Sequence, residues 1–127
     1  MAALDGFRTF DFSEGSPYVS ITRNGMTFNK AVVKKLECPA YATLLLNDET
    51  KQIAVQAAFE DTPKAVPFYK EKSSGLISVR WNGKDLMNTI TEMMGWDLEK
   101  HSFRVDGVLI KEEKAMIFDF SNAQEVG

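Results

Sequence analysis

The chain has 127 residues, 44% of them hydrophobic and 26% charged, with nine Phe and a formal net charge of −3. This is enough apolar material for one core and too little net charge for disorder. It also leaves no broad electrostatic footprint for nucleic acid or acidic lipid, so such binding would need a local basic patch. One Cys excludes an internal disulfide. No apolar run approaches the ~18–20 residues that span a bilayer. The first residues, Met1 to Asp5, lack the basic head and apolar stretch of a secretory signal, and a cytoplasmic protein is the default expectation.

In chain order, Phe7, Phe10 and Phe12 alternate with polar residues, the pattern of an added edge strand. From Tyr18 an apolar/polar alternation runs into Asn24-Gly25 and predicts a strand ending in a turn. Phe28, Val32 and Leu36 follow at i, i+4 and i+8, one stripe of an amphipathic helix. Thr27 stands at its N-cap and Pro39 beyond its end, with Lys30, Lys34 and Lys35 on its outer face. Residues 42–46, the polar turn 47–51 and residues 52–59 read as a hairpin. Residues 60–75, with Pro63, Pro67 and Ser73-Ser74-Gly75, read as a linker.

The same plan then recurs. With Ser78 over Ser20, Ile77 and Val79 meet Val19 and Ile21, and Asn82-Gly83 meets Asn24-Gly25. Leu86, Ile90 and Met94 repeat the helical stripe, Asp85 takes the place of Thr27, and Gly95 ends the helix. Residues 108–110, the turn 111–114 and residues 115–120 repeat the hairpin. The second copy is longer within 96–107, where Asp106-Gly107 signals a turn or bulge. The expectation is one α+β domain over 1–127, with repeat one at 18–59 and repeat two at 76–120. Two strand–helix–hairpin units would form a small barrel-like or sheet-plus-helices structure.

Chemistry-bearing residues are few. His101 is the only histidine; a catalytic or small-molecule site around it would need a concave pocket and a convergent acid. Cys38, beside Pro39, reads as a small buried core residue. One Cys and one His cannot build a standard zinc site. The carboxylate pairs Asp48/Glu49, Asp97/Glu99 and Glu112/Glu113 lie in turns without calcium-loop spacing. No phosphate-binding glycine loop or nucleophile elbow is present. No metal, cofactor or catalytic residue is therefore expected, and a non-enzymatic role leads without excluding an enzyme. Met93-Met94-Gly95-Trp96 is denser than a minimal core requires. Met93 and Trp96 are the candidate partner-binding residues, against ordinary burial.

The first copy resembles the AbrB/SpoVT (MazE-like) swapped-hairpin DNA-binding domains. The resemblance is carried by residues 21–36, Thr43-Leu44-Leu45-Leu46 and Gln52-Ile53-Ala54-Val55-Gln56, with Gly25, Phe28, Lys30 and Leu36 matching in kind. Asn24 stands where that family usually has a basic residue, Asn29 replaces its helix-initiating Pro, and Pro39-Ala40-Tyr41 replaces its Gly-Asp pair. Two copies in one chain resemble the tandem MraZ-like arrangement. The resemblance implies a non-enzymatic, dimeric DNA-binding transcriptional regulator, with Arg23, Lys30, Lys34 and Lys35 as phosphate contacts. Residues 18–59 carry five Lys/Arg and three acids, whereas residues 76–120 carry six and eight. The acidic second copy favours the alternative, a partner-binding or scaffold module of the same fold that does not bind DNA.

Overall fold

The computed structural model describes residues 3–7, 15–71, 75 and 77–126. Val19 and Ile21 are buried between half-exposed neighbours in strand β1 (Tyr18–Thr22), as the alternation predicts. The chain then turns at Arg23-Asn24 and returns as β2 (Gly25–Phe28), with Ile21 opposite Met26 and Thr22 opposite Gly25. Phe28 thus ends a strand and does not begin a helix.

Helix α1 (Lys30–Lys35) has only six residues, and its N-cap is Asn29, not Thr27. The Asn29 Oδ1 accepts from the Val32 N–H at 3.2 Å and the Tyr18 N–H at 3.1 Å, while its Nδ2 donates to the Ser16 carbonyl at 2.8 Å. One side chain caps the helix and fixes the start of β1. Asn29→Ala is expected to cost about 1–2 kcal/mol in urea unfolding, because it removes a cap and strands a donor in β1.

Strands β3 (Tyr41–Asn47) and β4 (Gln52–Ala58) form the first predicted hairpin, paired from Tyr41–Ala58 to Asn47–Gln52. The two-residue β5 (Val66–Pro67) joins the outer edge of β3. Strand β6 (Val79–Trp81) leads into helix α2 (Lys84–Met94), which stops at Gly95 as expected. Gly83 is its N-cap, and Asp85 lies inside its first turn. Strands β7 (Ser102–Ile110) and β8 (Ala115–Asp119) form the second hairpin, and β9 (Gln124–Val126) pairs with β7.

All pairings are antiparallel, in the order β5-β3-β4-β8-β7-β1-β2-β6. The long β7 joins two halves: residues 103–106 pair with β1, and residues 107–110 pair with β8. Asp106-Gly107 is therefore not a turn but the point where the ladder changes partner. A Cβ on Gly107 would lie 2.6 Å from the Met116 sulfur and 2.8 Å from the Phe118 ring, so these buried side chains need the space a glycine leaves.

The sheet curls until its inner faces meet. Phe28 on β2 packs against Phe118 on β8 at 5.7 Å, Phe68 at 5.7 Å and Trp81 at 5.3 Å between ring centroids. Val19, Ile21, Met26, Val32, Ile53, Val55, Ile90 and Met116 are among the other buried residues of this core. The Trp81 Nε1–H donates to the Pro67 carbonyl at 3.2 Å, which brings the two ends of the strand order together.

The balanced α+β expectation is thus overturned. Strand accounts for about 40% of the described residues and helix for about 20%, in a curled antiparallel half-barrel with one long helix. The two strand–helix units are not equivalent: a hairpin precedes α1, whereas a single three-residue strand precedes α2. Thr27, no cap, accepts from the Arg80 Nε at 3.2 Å across β2 and β6. Phe7 is 77% exposed and outside any strand, while Phe10 and Phe12 lie outside the described residues. Among the described residues no helix is long and apolar enough to cross a membrane.

Candidate functional site

The predicted phosphate contacts separate. Arg23 sits in the β1–β2 turn, and its guanidinium lies 3.7 Å from the Glu99 carboxylate. Both side chains are largely exposed, so the pair is worth little. The length of β2, roughly 13 Å of extended chain, separates that turn from α1. Lys30 and Lys34 are exposed and one helical turn apart, on one face of α1.

Lys35 meets residues from the other end of the sequence. It lines a cleft of about 170 Å³ with Leu36, Glu37, Leu109, Lys111 and Lys114. The second hairpin's turn is anchored there by the Ala57 N–H donating to the Lys114 carbonyl at 2.9 Å. The Gln56 Nε2 adds a bond to the Glu113 carbonyl at 3.0 Å. Lys35, Lys111 and Lys114 thus share a cleft whose lining includes one acid, Glu37. In a chain of net charge −3 this is a locally basic surface. Sequence reasoning missed Lys111 and Lys114 because a charged hairpin turn carries no local sign of what it packs beside.

The remaining candidates are dispersed. Cys38 is exposed, contrary to expectation: the left-handed backbone at Glu37 and Cys38 turns it outward as the chain leaves α1. His101 Nδ1 lies 3.1 Å from the Glu125 Oε2, so an acid does converge on it, but the two side chains are 46% and 59% exposed. Among the described residues no group of three or more His, Cys, Asp or Glu is placed to hold a metal. Trp96 stacks on Phe103 at 4.0 Å and on Phe120 at 5.5 Å. It and Met93 are partly buried against the core.

The exposed apolar surface lies elsewhere. Leu45, Ala54, Ile117 and Val108 are direct cross-strand partners on β3, β4, β8 and β7. They form one row on the face opposite Val55 and Met116, with Leu45 48% and Val108 63% exposed. Asn47, Gln52 and Asp119 rim this row. The Ser121 hydroxyl, donating to the Asp119 carboxylate, holds that carboxyl below its ordinary value.

Comparison with protein-family models, with curated proteins and with solved structures gives no match, so the arrangement of these residues carries the functional argument.

Proposed function

We propose that the chain is a non-enzymatic, cytoplasmic DNA-binding regulator of the AbrB-like kind, holding phosphates with Lys30, Lys34, Lys35, Lys111 and Lys114. The observation that carries this reading is the shared cleft of Lys35, Lys111 and Lys114. Lys30 and Lys34, exposed on one face of α1, supply further cations on the helix whose end lines this cleft. Phosphate neutralisation supplies most of the non-specific affinity for duplex DNA, and lysine serves it as a mobile point charge. Arg23, paired with Glu99 beyond β2, stands apart from this surface.

The test is fluorescence anisotropy with a labelled duplex at about 50 mM salt, where phosphate contacts are strongest. Substituting Lys34, Lys35, Lys111 and Lys114 together by Gln should weaken binding at least roughly tenfold, whereas Arg23→Gln alone should do much less. Equal affinity of the quadruple variant and the native chain would sink the reading.

The row Leu45–Ala54–Ile117–Val108 favours a second reading, a partner-binding module that associates through this sheet face. On this reading the concentrated native protein self-associates in sedimentation velocity, and Leu45→Thr with Val108→Thr restores the monomer. A native chain monomeric at every concentration would remove self-association through the row.

A further inference from the structure

We infer that the groove where the two ends of the curled sheet meet binds a small organic anion, a carboxylate or phosphate head on an apolar body. The groove lies beside the Trp81–Pro67 hydrogen bond, between β5 and the start of α2. Its volume is about 420 Å³, within the range of small-molecule sites. Its apolar wall comes from Leu44, Val66, Pro67, Trp81 and Leu86.

Trp81 is a preset wall. Its indole is tethered to the Pro67 carbonyl, and its ring meets Phe28 and Phe68 edge-on, at 5.3 Å with 79° and 5.5 Å with 73°. A fixed aromatic surface costs little entropy when a flat apolar body settles on it.

The polar lining selects the head group. Among the described residues that line it, Lys64 and Arg80 are the charged ones, and both are cationic in a chain of net charge −3. Among the described residues neither pairs with an acid. Arg80 borders the groove from β6, with its Nε donating to the Thr27 hydroxyl on the neighbouring strand, and a guanidinium at the groove's rim suits the planar geometry of a carboxylate or phosphate. Asn82 and the backbone of Gly83, the α2 N-cap without a side-chain bond, complete the polar end. This groove shares no residue with the lysine cleft, and the inference stands independently of DNA binding.

The experiment is a two-dimensional 15N NMR titration read at the side-chain N–H of Trp81, with that of Trp96 as the internal control. The probes are 1-naphthoate, 1-naphthyl phosphate and the neutral 1-naphthamide. The expected result is a saturable shift of the Trp81 signal with one or both anions, at least roughly tenfold weaker with the amide, and Trp96 unmoved. The preferred anion identifies the head group. Arg80→Gln and the exposed Lys64→Gln should each weaken anion binding severalfold while the rest of the spectrum is retained. No Trp81 shift with either anion overturns the site. Equal binding of amide and anions, or no loss in either variant, overturns the anion assignment.

Discussion

Phe28→Ala is expected to remove about 3–5 kcal/mol of stability and lower the melting temperature by on the order of 10–20 °C. Phe28 has no exposed surface and sits at the centre of an aromatic cluster. Its three ring partners belong to different parts of the chain: Phe68 follows β5, Trp81 ends β6 and Phe118 lies in β8. Each is held by its own backbone, so they cannot converge on the vacated space, and a cavity remains. The loss falls where the two halves of the sheet face each other. Since a domain this size is stabilised by only about 5–15 kcal/mol, the variant should be partly unfolded at moderate temperature. Circular dichroism melts and urea titrations read this directly. A loss below about 1 kcal/mol would mean that the curled sheet does not close through Phe28.

Gly25→Ala is expected to cost about 2–4 kcal/mol, for a backbone reason. Gly25 has φ +131°, a conformation that side chains rarely allow. A Cβ there would lie 2.8 Å from the Trp81 carbonyl oxygen and 2.9 Å from the Asn82 Cβ. Neither is the far end of a flexible side chain. The clash would push β6 from β2, where Met26 pairs with Trp81, and loosen the edge that Trp81 ties to Pro67. Urea unfolding would report the loss, and amide exchange should show Val79–Trp81 opening first. An unchanged midpoint would contradict the close approach of β2 and β6.

The hairpins were legible because each joins two apolar runs through a polar turn, at 47–51 and 111–114, and that signal is local. The start of α1 was not. Phe28 satisfies a helical stripe with Val32 and Leu36 equally well as a strand alternation with Met26, and only pairing with β1 and β6 decides between them. Phe103 and Val105 alternate with Arg104 and Asp106, an ordinary strand signal; reading 96–107 as an insertion between matched units hid it.

Surface function was harder still. Leu44-Leu45-Leu46 is apolar on both faces of β3, so the sequence cannot say which residue looks outward. The meeting of Lys35 with Lys111 and Lys114 depends on how a hairpin turn packs against a helix end far away in sequence. The lysines of α1 were visible as an exposed face; their company was not.

The salt dependence of duplex DNA binding tests the proposed function most directly. Five phosphate contacts predict a slope of log K against log salt near −4.5, since each contact contributes about −0.9. With Lys34, Lys35, Lys111 and Lys114 replaced by Gln, the slope should rise to about −1. A native chain that fails to bind duplex DNA at about 50 mM salt, or a slope the four substitutions leave unchanged, would contradict the proposal.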